Sequence, residues 1–191
     1  MKICMYGAAS DKINDNYKKM TELLGEEIAK RGHSLVYGAG ATGLMGACAR
    51  GVTKGGGKII GVTPHFMHDI EEVYDKCTEL INTAIMAERK TIMEDNADAF
   101  IIVPGGIGTY EEFFEILTLK QLCRHNKPIA LYNIMGYYDD INYAMEQAMK
   151  KNFIRDNCKE LYYVTDKLDD LLRYVETPVN KIRTVKELKD G

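Results

Sequence analysis

AFIIVPGGIGTYEEFFEILTLKQLC, Ala99 to Cys123, passes from a short apolar run through a glycine turn into a long amphipathic segment. Ala99–Val103 is unbroken in its apolar character and rich in branched side chains, the pattern of a strand buried on both faces. Pro104 ends that strand without needing a ladder partner. Gly105, Gly106 and Gly108 then permit positive φ angles and leave the backbone bare of side chains. From Thr109 to Cys123 the apolar spacing predicts a helix.

The same strand, turn and helix unit recurs along the chain. Lys2–Tyr6, His33–Tyr37, Lys58–Thr63, Pro128–Asn133 and Leu161–Thr165 read as further buried strands. Helices are predicted over Asn14–Arg31, Gly43–Thr53, Ile85–Asn96, Tyr138–Asn152 and Leu168–Val175, the first of them stopping at Gly32. Strands that alternate with helices pair in parallel, because each crossover helix returns the chain to the same edge. The expected fold is therefore α/β: a doubly wound, mainly parallel sheet with helices on both faces. One domain over residues 1–176 and a short charged tail, 177–191, loosely docked or frayed, complete the expected organisation.

Composition narrows the function. The chain has 191 residues, 46% hydrophobic and 28% charged, which suits one ordinary globular domain. A net charge of −3 argues against a nucleic-acid partner, which would require a concentrated basic surface. The apolar runs are too short to cross a bilayer, and MKICMYGAAS lacks the apolar stretch of a signal peptide, so no membrane partner and a cytoplasmic location are expected. The five cysteines are odd in number and widely spaced, which reads as reduced thiols. His65-x-x-His68, with Asp69 and Glu71, falls in a loop without the helical spacing of a zinc protease motif, and no metal is assigned to it.

In doubly wound sheets ligands sit beyond the carboxyl ends of the strands, where the strand order reverses, so the strand-to-helix turns are the places to search. Gly7-Ala8-Ala9-Ser10 follows the first strand and could admit an anion or simply make a tight turn. YGAGATGLMG, Tyr37–Gly46, satisfies G-x-G-x-x-G at Gly38, Gly40 and Gly43. A dinucleotide reading suffers because the turn follows the second strand, and Thr63 and Pro64 stand where an acidic residue should hold the ribose. Close approach of helix to sheet, or of helix to a nucleotide phosphate, fits better. The third turn, Gly105 to Thr109, offers bare amides at a helix start, an anion site to which Thr109 can add a hydroxyl. The missing Gly-Lys-Ser/Thr excludes the usual triphosphate loop.

Thr109-x-x-Glu112 also forms a capping box, and from spacing alone capping is the better reading of both residues. A carboxylate one turn from a bound phosphate is repelled by it, so its presence there would serve another part of a ligand. MAERK, Met86–Lys90, is either a solvated face or the source of a guanidinium, Arg89, that grips phosphate at the glycine loop.

PGGIGTYEE together with MAERK resembles the paired signature P-G-G-x-G-T-x-x-E and M-x-x-R-K of the Lonely Guy (LOG) family, the cytokinin riboside 5′-monophosphate phosphoribohydrolases once labelled lysine decarboxylases. YGAGATGLMG is similar to that family's second glycine turn, usually written with a further glycine where Ala39 stands. The resemblance implies a Rossmann-like homodimer that needs no cofactor. Its substrate is AMP or an N6-modified AMP, hydrolysed at the N-glycosidic bond to free base and ribose 5-phosphate. By position the catalytic pair falls on Arg89 and Glu112. Substrate contacts fall on Glu71, Lys90, Gly106, Ile107, Gly108, Thr109, Tyr110, Glu111 and Thr118. Met86 and Gly105 from the motifs, and Gly7, Ser10, Gly40 and Gly43 from the other turns, complete the candidate binding set. The wide apolar arc of Phe113, Phe114, Ile116, Leu117, Leu119 and Leu122 adds modest support for a dimer.

Breaking the C1′–N9 bond leaves the sugar with oxocarbenium character, which a carboxylate near C1′ stabilises while it orients water. Glu112 is the candidate for that role; Arg89 would neutralise the phosphate or assist the departing base. A non-catalytic nucleotide or phosphorylated-cofactor carrier is the competing reading. A pyridoxal-phosphate decarboxylase is disfavoured because no lysine is expected in an apolar site after a strand.

Overall fold

The computed structural model describes residues 1–179 and 183–189. Seven strands form one parallel sheet: β1 (Lys2–Tyr6), β2 (Ser34–Tyr37), β3 (Ile59–Pro64), β4 (Glu79–Thr83), β5 (Ala99–Ile102), β6 (Ile129–Tyr132) and β7 (Tyr163–Thr165), in the order β4-β3-β2-β1-β5-β6-β7. The helices are α1 (Asp15–Lys30), α2 (Gly43–Lys54), α3 (Met86–Asn96), α4 (Ile107–Gln121), α5 (Asp139–Lys150), α6 (Leu168–Glu176) and α7 (Val185–Leu188). This is the Rossmann-like, doubly wound architecture read from the sequence.

Alternation along each strand divides the interior into two cores. Ile3, Met5, Leu35 and Tyr37 pack with Leu24 and Ile28 of α1, Leu44 and Val52 of α2, and Leu171 and Leu172 of α6. Cys4, Tyr6, Val36 and Phe100 face the other way, against Met93 of α3, Phe113 and Ile116 of α4, and Tyr138. Burial on both faces is why β1, β5 and β6 read as continuous apolar runs. Helix α1 starts where the Asn14 side chain accepts from the Asn16 amide and ends beside Gly32, whose φ of 76° only glycine adopts cheaply.

Three local features differ from expectation. β4 escapes the sequence pattern because it is an edge strand: Glu79, Leu80 and Asn82 are exposed, so no apolar face marks it. Helix α4 begins at Ile107, two residues before the predicted start. The described part of the tail is docked: Leu188 is buried, and the Asn157 side chain donates to the Glu187 carbonyl. A capping box at Thr184 and Glu187 starts the short α7 there. The remaining tail positions, 180–182 and 190–191, lie outside the described residues. Among the described residues no helix is long and apolar enough to cross a membrane, and all five cysteines are free.

Candidate active site

The strand order reverses between β1 and β5, and the turns that leave these two strands face each other. The Ala8 amide donates to the Pro104 carbonyl at 3.1 Å. Between the turns lies a cavity of about 190 Å³ bounded by Ser10, Ile13, Tyr17, Leu44, Gly105, Gly106 and Tyr137. A wider cavity of about 340 Å³ lies beside Phe114, Thr118 and Phe153, along the flank of α4. Glu112 on α4 and Arg89 on α3 line neither of these cavities.

Gly106 precedes α4 as its N-cap and has no side chain with which to cap it. Among the described residues nothing accepts a hydrogen bond from the amides of Gly106, Ile107, Gly108 or Thr109. A Cβ placed on Gly106 or Gly108 would meet nothing within 4 Å. Neither they nor Gly105 adopts a positive φ, so the freedom these glycines have is not used for a left-handed turn. Gly105 is bare because Thr109 fills the space, its Oγ1 2.1 Å from where a Cβ would stand. Gly106 and Gly108 therefore leave room for something outside the chain. Ile107 between them is 89% exposed, and Tyr110 is half-buried.

The predicted capping box is absent. Thr109 lies inside α4 and is buried, because the helix started earlier, and it makes no cap. Glu112 is thereby released from capping and sits half-buried one turn further in. Burial pushes its carboxyl up to about 7, opposed by the positive charge of Arg89 and assisted by Glu111. An acid with such a pKa exchanges its proton readily near neutrality, as a general acid or base must.

Arg89 comes from the first turns of α3 and is 7% exposed. One Nη2 hydrogen donates to the Gly38 carbonyl at 3.4 Å, Nη1 approaches the Met86 sulfur, and among the described residues Nε has no partner. Gly38 is what admits it: a Cβ there would lie 1.8 Å from Nη2. A buried guanidinium with an unpartnered donor is costly unless an anion completes it. Glu88 is occupied elsewhere, accepting from the Ala84 amide at 2.8 Å. Lys90 is held by Glu111 and Glu115 at 2.6 and 2.7 Å. Burial works against its charge, yet these two carboxylates raise its amine above the ordinary lysine range.

At the other two turns the space a side chain would fill at Gly7, Gly40 and Gly43 is taken by the protein's own neighbours. A side chain on Gly7 would strike Val103. Gly43 needs its φ of 60° beneath the Ala8 carbonyl. The amides at the start of α2 are spent, Leu44 and Met45 donating to Ala8 and Gly43 to the Asp11 carboxylate. That hydrogen bond holds the Asp11 carboxyl below its usual range. Gly40 packs on Met45 with Glu71 at 3.7 Å from its Cβ position, so Glu71 lies at the same turn that cradles Arg89. Ala39, where relatives were expected to carry glycine, has a left-handed φ of 64°, a conformation that costs a non-glycine residue about 1 kcal/mol. Ala8, Ser10 and Leu44 of these turns reach the cavity, and the Ser10 Oγ accepts from the Lys12 amide. Thr118 is exposed on α4 beside the wider cavity, away from the loop.

Sequence reasoning missed the tyrosines that brace the loop. Tyr137 Oη donates to the Gly105 carbonyl at 2.6 Å, and Tyr138 Oη to the Val103 carbonyl at 2.7 Å. Both follow a sharp turn in which Met135 and Gly136 have φ of 54° and 75°. The Met-Gly-Tyr-Tyr run after β6 was the signal, since it too is a strand-to-helix turn.

A family model described as "Possible lysine decarboxylase" matches residues 45–175. A cytokinin riboside 5′-monophosphate phosphoribohydrolase of Arabidopsis thaliana is 34% identical over 92% of this chain and 81% of its own. A probable enzyme of the same description from Oryza sativa subsp. japonica is 39% identical over 80% of this chain and 69% of its own. Among solved structures, the molybdenum cofactor carrier protein of Chlamydomonas reinhardtii superposes with a TM-score of 0.70 at 22% identity, covering 92% of this chain and 95% of that one. DNA processing protein A from Helicobacter pylori gives 0.61 at 14% identity, over 91% and 79%. The structural likenesses show a shared fold; the sequence likenesses reach further, and the chain belongs to the LOG family of cytokinin riboside 5′-monophosphate phosphoribohydrolases.

Proposed function

We propose that the protein hydrolyses the N-glycosidic bond of AMP or an N6-modified AMP, releasing the base and ribose 5-phosphate. The carrying observation is the union of a bare, uncapped helix start with a carboxyl raised to about 7 one turn further along it. The 5′-phosphate accepts hydrogen bonds from the amides of Gly106 to Thr109, where the helix dipole also favours an anion. Held by its phosphate, the sugar lies along α4 toward Glu112. Ionised Glu112 stabilises the oxocarbenium-like sugar and takes a proton from the attacking water, whose oxygen bonds to C1′; the base leaves with the C1′–N9 electron pair and takes up one proton, that held by Glu112 or one from solvent. Arg89, with its spare Nε, supplies positive charge at the phosphate or at the leaving base. Among the remaining candidates, Glu71 stands beside the Gly38–Gly40 turn.

The protein acts as a homodimer in the cytoplasm on this reading. Phe114 and Phe153 are 39% and 84% exposed beside the wider cavity, which is apolar surface for a second copy to cover. Five free cysteines suit a reducing compartment.

Incubation with AMP and with N6-substituted AMP, followed by chromatography, tests the activity. Equimolar base and ribose 5-phosphate are expected. Tight nucleotide binding with no product after hours would instead make the chain a carrier. A scattering mass that stays at 21.6 kDa at working concentration would remove the dimer.

A further inference from the structure

Lys120 is the most deeply buried charged side chain among the described residues, 3% exposed at the far end of α4. It lies about 20 Å from the glycine loop, fourteen residues at 1.5 Å each. Among the described residues its amine has no hydrogen-bond or ion-pair partner. Lys120 lies within the last turn of α4, so it is not a lysine placed after a strand. The side chain lines a cavity of about 240 Å³ together with Cys123, His125, Leu161, Arg183 and Leu188.

Among the described residues the charges around this cavity do not balance. Arg183 spends Nη2 on Glu160 at 2.8 Å, but its buried Nε has no partner. His125 adds no compensating charge. Its Nε2 lies 2.9 Å from the Ile116 carbonyl, its Nδ1 accepts from the Lys127 amide, and burial pushes its pKa down to about 4, so it is neutral. Two cations thus share the space, and the carboxylate of Glu160 engages the outer end of one. Burial, reinforced by the nearby charge of Arg183, pulls the Lys120 amine down to about 8. Buried unpaired charge is costly, and cations are usually buried with an anion that accepts their hydrogens.

We propose that the cavity between the end of α4 and the Arg183–Leu188 segment is a second binding site, which takes a small oxyanion between Lys120 and Arg183. The ammonium and the Nε–H are donors only, so the guest must be an acceptor such as a phosphate or carboxylate group. The volume is below that of ordinary nucleotide-sized pockets, so the guest is a free small anion or a single anionic group. Leu161 and Leu188 wall the site and strengthen each charge contact by excluding water.

The test is NMR of the whole protein carrying ε-¹³C-lysine, titrated from neutral to alkaline pH in chloride, in inorganic phosphate and in acetate at matched ionic strength. One lysine should titrate near pH 8 in chloride. That resonance should vanish in Lys120→Met. Should the methionine variant not fold, Lys120→Arg makes the same assignment with the charge kept. In phosphate or acetate its pKa should rise by about one unit, the signature of an anion bound tenfold more tightly to the charged amine. A rise in phosphate alone assigns a phosphate site, and a rise in both a general oxyanion site. Gly108→Val, which fills the loop start, should leave the rise intact. A Lys120 titration identical in all three salts, or a rise abolished by Gly108→Val, overturns the proposal.

Discussion

Two glycine turns follow parallel strands of one sheet, and they use their glycines in opposite ways. In Tyr37–Gly46 the missing side chains are taken up by the protein: Arg89 occupies the space at Gly38, the Ala41 carbonyl that at Gly46, and Asp11 answers the amide of Gly43. In Val103–Thr109 the spaces at Gly106 and Gly108 are open, and the amides behind them are unanswered. A dinucleotide-like fingerprint can thus be a packing device while a plainer turn is the binding device. What separates them is whether an internal neighbour already stands where the side chain would be.

Glu112→Gln should give the largest effect at the open turn. We expect turnover of AMP to fall by about 10²–10⁴-fold, with the melting temperature unchanged or higher because a neutral amide replaces a buried acid. Full turnover at unchanged stability would remove Glu112 from the chemistry. At the packed turn, Gly46→Ala puts a Cβ 1.9 Å from the Ala41 carbonyl oxygen. The cost should be about 3 kcal/mol, a melting temperature lower by roughly 10 °C. Its counterpart at the open turn, Gly108→Ala, should leave stability equal or slightly better, since alanine favours a helix, while KM for AMP rises about tenfold through loss of room at the amides. If calorimetry found both alanine variants equally destabilised, the contrast between the turns would be wrong.

The pH dependence sharpens the same contrast. Glu112 titrates at about 7 in the folded chain, against about 4.3 when unfolded. The folded state holds the proton more tightly, so this contribution to stability is full below about 4.3 and is lost as pH rises through about 7. Glu94, also raised to about 7 by burial and by Glu115, shares that window. Chemical denaturation of Glu112→Gln should therefore show a shallower, not a flat, fall in stability between these values. In the proposed mechanism the ionised acid is the active form, so kcat/KM should climb to a plateau above about pH 7; a flat profile would contradict its role as base. The smallest effect is expected at Tyr137→Phe, which loses the hydrogen bond to the Gly105 carbonyl. About 1 kcal/mol and a few-fold rise in KM should follow, and an unchanged KM would make that tyrosine a bystander to the loop.

The parallel sheet was legible because buried strands such as Phe100–Ile102 leave an unmistakable apolar run. Glu79–Thr83 was not, because an edge strand exposed on its outer side carries no such mark. Within the site, Arg89 and Glu112 could be picked out by their motifs. Their surroundings could not: the early start of α4 turns on the conformation of Gly106, and the brace from Tyr137 depends on a left-handed turn at Met135. Nothing in the sequence singled out Lys120. Its burial comes from a C-terminal segment more than sixty residues away in sequence, which places Arg183 and Leu188 beside it.

The cradle at Gly38 has an evolutionary corollary. Position 38 and position 89 are separated by 51 residues, yet one must stay empty for the other to hold its guanidinium. Lineages that accept a side chain at the first should have surrendered or rerouted the arginine at the second, so the two positions ought to covary as a pair, independent of what either does for the sheet.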